Sequence, residues 1–203
     1  MRIIGGKYRG KKLIYFNLEN VRPTSDIVRE ALFNSLQADV RGSVFLDLFG
    51  GTGAVGLEAY SRGADSVHIV EADKKTAGLI IKNLESLGGS NCQSNGMPKA
   101  TSLTDLNDVT VTISDYTKAL TKFSVGGVVF DIVFIDPPYN KGLEVKAVQM
   151  VVDLKLINED SIVVVETDKK LDFKIPSELV EYNKRVYGTK CLRFLQLASE
   201  NYE

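Results

Sequence analysis

The stretch "VFIDPPYN", residues 133 to 140, gathers four side chains whose types and order suit one kind of reaction. Pro137 and Pro138 fix the backbone at the end of an apolar run and remove two N–H donors, which leaves the neighbouring carbonyls available as acceptors. Asp136 adds a carboxylate and Tyr139 a flat face. An exocyclic amine on an aromatic ring is a poor nucleophile, because its lone pair is delocalised into the ring. If Asp136 and the Pro137 carbonyl each accept one of its hydrogens, the nitrogen can pyramidalise and aim its lone pair at a methyl sulfonium. A charged acceptor makes the Asp136 bond worth about 1.5–3 kcal/mol, and the carboxylate can take the surplus proton after transfer. Stacking of the ring on Tyr139 adds about 1–3 kcal/mol. The motif reads as a site for alkylating a ring amine, and it does not name the ring.

A second motif lies about eighty residues upstream. In "LDLFGGTGAVG", residues 46 to 56, Gly51, Gly53 and Gly56 spell G-x-G-x-x-G, a loop that turns sharply and lets a ligand approach the backbone. Two cofactors fit such a loop. A dinucleotide would set its pyrophosphate on the helix N-terminus that follows. S-adenosylmethionine would lay its methionine and ribose over the same turn with no phosphate. Glu71, at the end of the next apolar run, can accept ribose hydroxyls in either case. Asp47 favours the second, since a carboxylate before the loop can meet the amino group of S-adenosylmethionine and would repel a pyrophosphate. Asp115, in "ISDYTKAL", is placed either to accept from an adenine amino group or to cap a helix. Hydride transfer has no use for Asp136 to Tyr139, so the loop is read as an S-adenosylmethionine site.

These residues need strand ends and helix starts to hold them. Apolar runs at 43–49, 66–71, 109–114, 128–136 and 161–166 alternate with amphipathic stretches, and Ala77, Ile80, Ile81, Leu84 and Leu87 form one helical stripe. Near-continuous apolar strands alternating with helices predict an α/β fold, with a parallel sheet covered on both faces and ligands at the strands' carboxyl ends. The last segment, "LVEYNKRVYGTKCLRFLQLA", predicts an antiparallel hairpin turning at Gly188-Thr189. Near the start, Ile27, Val28, Ala31, Leu32 and Leu36 predict a helix over about 25–37, with Thr24 and Ser25 as candidate caps. Residues 1–16 predict a β-hairpin-like arm. Residues 88–108 are polar and without period and are read as a long excursion. His68, the one histidine, alternates with Val67 and Ile69 along a strand and is read as structural.

With 203 residues and 44% hydrophobic content, the chain is expected to form one domain over 21–203 with the arm, 1–20, appended. It shows neither an eighteen-residue apolar run nor the pattern of a signal peptide, which implies a cytoplasmic protein off the membrane. Cys92 and Cys191 match no ligand spacing, so no metal is expected. The net charge of −1 excludes a polycation, but residues 1–12 carry Arg2, Lys7, Arg9, Lys11 and Lys12 with no acid.

Taken in order, "MRIIGGKYRGKKL", "RPTSDIVREALFNSL", "LDLFGGTGAVGLEAYSRGA", "VEAD", "FIDPPYNKGL" and "KRVYGTKCLRF" resemble the bacterial RsmD family, methyltransferases of an exocyclic guanine N2 in small-subunit ribosomal RNA. The resemblance implies a Rossmann-like S-adenosylmethionine-dependent methyltransferase fold, with a mostly parallel seven-stranded sheet ending in an antiparallel strand. It also implies action on a partly assembled 30S particle, and the protein is expected to be a monomer. By motif, Asp47, Phe49, Gly51, Thr52, Gly53 and Glu71 resemble the cofactor cradle and Asp115 its adenine-side acid. Asp136, Pro137, Pro138 and Tyr139 resemble the catalytic loop. Gly50 and Thr52 stand where the family more often has alanine and serine, and the excursion is longer than the family's. Arg2, Lys7, Arg9, Lys11, Lys12, Arg22 and Arg29 are then expected to flank the catalytic mouth and meet phosphates. Two other functions share these motifs: an adenine-N6 DNA methyltransferase, and a non-catalytic RNA-binding assembly factor. The short chain leaves little room for a DNA-recognition domain, and an intact Asp136 argues against loss of catalysis. A dehydrogenase ranks third.

Overall fold

A computed structural model describes residues 1–15, 26–88, 108–138 and 142–198. Helix α1 spans Asp26–Ser35, and strands and helices then alternate: β1 Val44–Asp47, α2 Ala54–Ser61, β2 Ser66–Glu71, α3 Lys74–Ser86, β3 Asp108–Ile113, α4 Tyr116–Val125, β4 Ile132–Ile135, α5 Leu143–Asp153 and β5 Ile162–Asp168. A hairpin, β6 Leu179–Tyr187 and β7 Lys190–Leu197, closes the chain. The seven strands form one sheet in the order β3-β2-β1-β4-β5-β7-β6. All pairings are parallel except those of β7 with β5 and β6. The predicted α/β sheet with its antiparallel end is what the chain builds.

Two cores sandwich the sheet. Phe45, Val67, Ile69, Phe134, Val164 and Phe194 face one way, against Leu32, Phe33, Leu57 and Ile80 of α1, α2 and α3. Leu46, Val133, Ile135, Val163 and Val165 face the other, against Leu120 and Phe123 of α4 and Val148 of α5. Burial on both faces explains why β1, β4 and β5 read as unbroken apolar runs. The strand order reverses between β1 and β4, which puts the crevice for a ligand at their carboxyl ends.

The expected boundaries shift in places. β4 begins at Ile132, not at 128, because Val128 closes the turn after α4 and Phe130 N–H bonds to the Leu156 carbonyl. Thr24, Ser25 and all but the ends of the polar excursion lie outside the described residues. His68 sits in the core at 4% exposure, edge-on to Phe123 and Phe130, and burial pushes its pKa down to about 4.

The arm folds back through the Arg2–Lys12 antiparallel bridge and lies along α2. Ile3 and Leu13 are buried in the same core as α1, α2 and α3. Its backbone is held by buried polar side chains of the helices. Glu58 accepts the N–H groups of Ile4 (2.8 Å) and Gly5 (2.7 Å), Ser61 accepts from Tyr8, and Asn83 exchanges two bonds with Ile14. Glu58 is wholly buried and also pairs with Arg62 (2.8 Å) and Arg29 (3.7 Å). Glu58→Gln keeps the shape and removes the charge, so it should cost about 2–3 kcal/mol and lower the melting temperature by about 5–10 °C. A melt within a degree or so of the parent would show that the arm is held otherwise.

Candidate active site

The carboxyl ends of β1 and β4 open into a cavity of about 400 Å³. The glycine loop lines it, and so do Asp136, Pro137 and Pro138 at the tip of β4. The two motifs singled out in the sequence therefore line one space. Pro137 is buried and Pro138 exposed, while Tyr139 and Arg22 lie outside the described residues.

The loop's geometry follows from its glycines. Gly51 and Gly53 have φ of 52° and 76°, the left-handed region, and Gly53 starts α2. Gly53 does not itself line the cavity. A Cβ there would lie 2.8 Å from Ile80, so its bareness lets α3 pack closely. Gly56 serves a similar end, since a Cβ would meet Ile69 at 2.6 Å. The third glycine of the motif is thus a packing glycine. Gly50 in this chain has the same neighbour, with a Cβ meeting Ile69 at 2.5 Å, so alanine here would require a smaller partner.

The acids are bound into this framework. Asp47 is 2% exposed and accepts the Gly56 N–H at 2.9 Å, which ties the end of β1 to the first turn of α2. Burial pushes its carboxyl from 3.8 up to about 7, against the pull of the Gly56 N–H, and the nearby charges of Asp136 and Glu71 add to the rise. Glu71 uses both oxygens on the backbone, one on Gly51 N–H and one on Asp73 N–H, each at 2.8 Å. It fixes the glycine loop and the entry to α3 at once. Asp115 caps α4 through the Thr117 N–H and hydroxyl, and the Thr117 hydroxyl holds its carboxyl below the usual range. The capping residue also lines the cavity. Thr52 lines it too, but turns its hydroxyl to the sulfur of Met1, so the arm's first residue touches the loop.

Phe49 packs against Tyr116 with ring centroids 5.2 Å apart, and both line the cavity. Tyr116 went unremarked in the sequence. Its signal was an aromatic directly after the acid of "SDY", at a strand end facing Phe49. Ser114 and Leu143 complete this side.

The basic residues divide. Arg2, Lys7, Arg9, Lys11 and Lys12 are exposed, but Lys7 N–H bonds to the carbonyl of Ser61, the last residue of α2. The arm's tip therefore lies about 12 Å along α2 from the glycine loop, given its eight residues. Arg29 is a correction. Its side chain is 0% exposed, bonds to the Arg2 carbonyl and Asp26, and pairs with Glu58, so it braces the arm and cannot meet a phosphate.

The donors and acceptors match S-adenosylmethionine. The lining offers a buried carboxyl, an aromatic pair and partly exposed carboxylates, and among the described lining residues there is no basic side chain to balance a pyrophosphate. Among the described residues no cluster of three or more metal-ligating side chains occurs, and no helix is long and apolar enough to cross a membrane.

Comparison with known proteins agrees with this fold. The model of the family described as Conserved hypothetical protein 95 matches residues 1–196. The chain is 32% identical over 196 residues to Ribosomal RNA small subunit methyltransferase D of Haemophilus influenzae, covering 97% of this chain and 93% of that one. It is 32% identical over 184 residues to the protein of the same name from Buchnera aphidicola, covering 91% and 86%. Among solved structures, the Escherichia coli protein yhhF superposes with a TM-score of 0.78 at 29% identity, over 98% of this chain and 99% of that one. An RNA methyltransferase from Salinibacter ruber, in complex with S-adenosyl-L-homocysteine, shares the fold at a TM-score of 0.62 and 17% identity, over 88% and 95%. On the match to residues 1–196 and on relatives above 30% identity along nearly the whole length, the chain belongs to the Conserved hypothetical protein 95 family, the RsmD family that its motifs resemble.

Proposed function

We propose that this protein transfers a methyl group from S-adenosylmethionine to the exocyclic N2 of a guanine in small-subunit ribosomal RNA. The observation that carries the reading is the one cavity that the glycine loop, Asp136 and Pro137 line together. The methyltransferase names of its relatives support an enzyme acting on ribosomal RNA. S-adenosylmethionine supplies the electrophilic methyl. Asp47 would hold its amino group, Phe49 and Tyr116 its flat base, and Glu71 and Asp115 its hydroxyl and amino donors.

The chain's own part is orientation. Asp136 and the Pro137 carbonyl take the two N2 hydrogens, draw the nitrogen out of conjugation and fix its lone pair. As positive charge grows on nitrogen the Asp136 bond strengthens, so it stabilises the transition state more than the ground state. Asp136 then accepts the proton that nitrogen sheds. Holding the reactants in line supplies much of the remaining rate. The base has to leave its stack to reach the tip of β4.

The exposed arm supplies sequence-independent affinity for phosphates. Because its tip lies about 12 Å along α2, the arm would grip RNA flanking the target and not the target nucleotide. Arg9→Ala should weaken RNA binding and lower the salt slope by about one, leaving cofactor affinity unchanged. Equal binding by variant and parent at several salt concentrations would refute this. One of the two sheet edges, β6, carries Lys184, Arg185 and a bulge between Glu181 and Asn183, devices that oppose edge pairing and support a monomer. We place the protein in the cytoplasm, on a partly assembled 30S particle.

Mass spectrometry of ribosomal RNA from cells lacking the protein tests the assignment. One methylguanine should disappear from the small-subunit RNA. An unchanged complement, or a missing methyladenine, would contradict it.

A further inference from the structure

We infer that Lys190, held by the buried carboxylate of Glu166, reads the O6 of the target base and so selects guanine over adenine. The inference rests on the proposed guanine reaction and names a residue pair that the reaction as described leaves unused.

Strands β4 and β5 run parallel with Ile135 opposite Val165, so the next residues, Asp136 just past the end of β4 and Glu166 within β5, stand side by side. Neighbouring strands lie about 4.8 Å apart. Ile135 and Val165 share the core under α4 and α5, and the alternation of side chains sends Glu166 to the opposite face. Lys190, at the start of β7, lies on that face too, in line with Leu192 and Phe194, and its Nζ pairs with Glu166 Oε1. The Glu166 side chain is fully covered and that of Lys190 is 15% exposed. An ammonium is therefore anchored over the strand next to that of the carboxylate that grips the reacting amine, and the register of Lys190 with Asp168, the last residue of β5, puts it at the ligand end of the sheet.

The energetics point to a task. Two charges taken out of water attract each other by little more than their desolvation costs, so a buried ion pair adds little net stability. The chemistry of the base then says which task. With N2 gripped at Asp136, the edge of guanine continues through N1–H to O6, an acceptor that an ammonium satisfies with a charge-assisted hydrogen bond. Adenine, held by its N6 amine, presents a C–H and no acceptor oxygen in that place, whereas cytosine, held by N4, still presents O2, so the ammonium discriminates against adenine. Lys190 is thus a substrate-reading residue and Glu166 a positioning residue.

The test uses small-subunit ribosomal RNA fragments carrying either guanine or 2-aminopurine at the methylated position. The analogue keeps the reacting amine and lacks O6. The parent protein should transfer methyl to guanine about ten- to a hundredfold faster, as expected for one hydrogen bond to a charged group. In Lys190→Met that ratio should collapse towards one, and Lys190→Arg, which retains a donor, should restore it. Because Lys190→Met strands a buried carboxylate and risks misfolding, the double variant Glu166→Gln with Lys190→Met is measured as well, with the same collapse expected. A ratio unchanged in the variants, or equal rates on both RNAs by the parent, would overturn the inference and leave guanine methylation standing. No transfer to guanine by the parent would overturn both.

Discussion

Asp136→Asn should lower the rate of methyl transfer by about 10²–10⁴-fold while leaving the cofactor bound. The amide matches the carboxylate in shape and still accepts one hydrogen bond. It loses the negative charge that meets the developing charge on nitrogen, and it has no capacity to take the proton. Because interactions made stronger in the transition state act on kcat, the loss should appear there and not in the affinity for RNA. Cofactor affinity has a separate reason to persist. Asp136 is one of the charges that keep the Asp47 carboxyl from ionising, so its removal relieves Asp47. Single-turnover transfer with calorimetry of S-adenosylmethionine checks both halves. Activity within about tenfold of the parent would mean that Asp136 is a strand-end residue without a chemical part.

The second large effect concerns Asp47→Asn, which should stabilise the protein and weaken cofactor binding together. The carboxyl sits at about 7 in the folded chain against an ordinary 3.8, chiefly because burial disfavours its charged form. A raised carboxyl means that the folded state holds the proton more tightly than the unfolded one. Between pH 4 and 7 the unfolded chain binds fewer protons, so stability falls as pH rises through that window, and the full penalty, about 4 kcal/mol at most, stands above it. Asparagine can still accept the Gly56 N–H and has no charge to desolvate. Thermal unfolding at pH 8 should show the variant more stable than the parent, and at pH 4 the two should converge. Cofactor binding moves oppositely, because the ammonium of S-adenosylmethionine loses its counter-charge. In the parent, affinity should rise as pH increases towards 7, and the variant should lack that rise. A variant less stable at pH 8, or one binding the cofactor as tightly as the parent, would show that Asp47 serves only to tie β1 to α2.

The contrast between these residues marks what could be read in the chain beforehand. Strand and helix periods gave the α/β sheet, because central strands buried on two faces leave unbroken apolar runs such as Val163 to Val165. The two motifs met in one cavity because both sit at carboxyl ends of adjacent parallel strands, a relation that topology imposes. Burial of charge was not legible. Arg29 looked like a surface cation in "DIVRE", yet the arm folds across α1 and α2 and covers it, and the covering strand comes from residues far away in sequence. The same applies to Glu58, Asn83 and the Glu166–Lys190 pair, whose partners are set by packing and not by spacing. The glycines were half legible. Gly51 and Gly53 turn as the motif requires, but only the structure distinguishes a glycine that bares the backbone to the cavity from one, such as Gly56, that admits a neighbouring strand.

The account stands on Asp136 gripping a guanine amine across the cavity from S-adenosylmethionine. Its most direct test is transfer of labelled methyl from S-adenosylmethionine to small-subunit ribosomal RNA by the parent protein and by Asp136→Asn, followed by digestion to nucleosides and mass spectrometry. The account predicts label in N2-methylguanosine with the parent and almost none with the variant. Label in N6-methyladenosine, or equal label from both proteins, would contradict it.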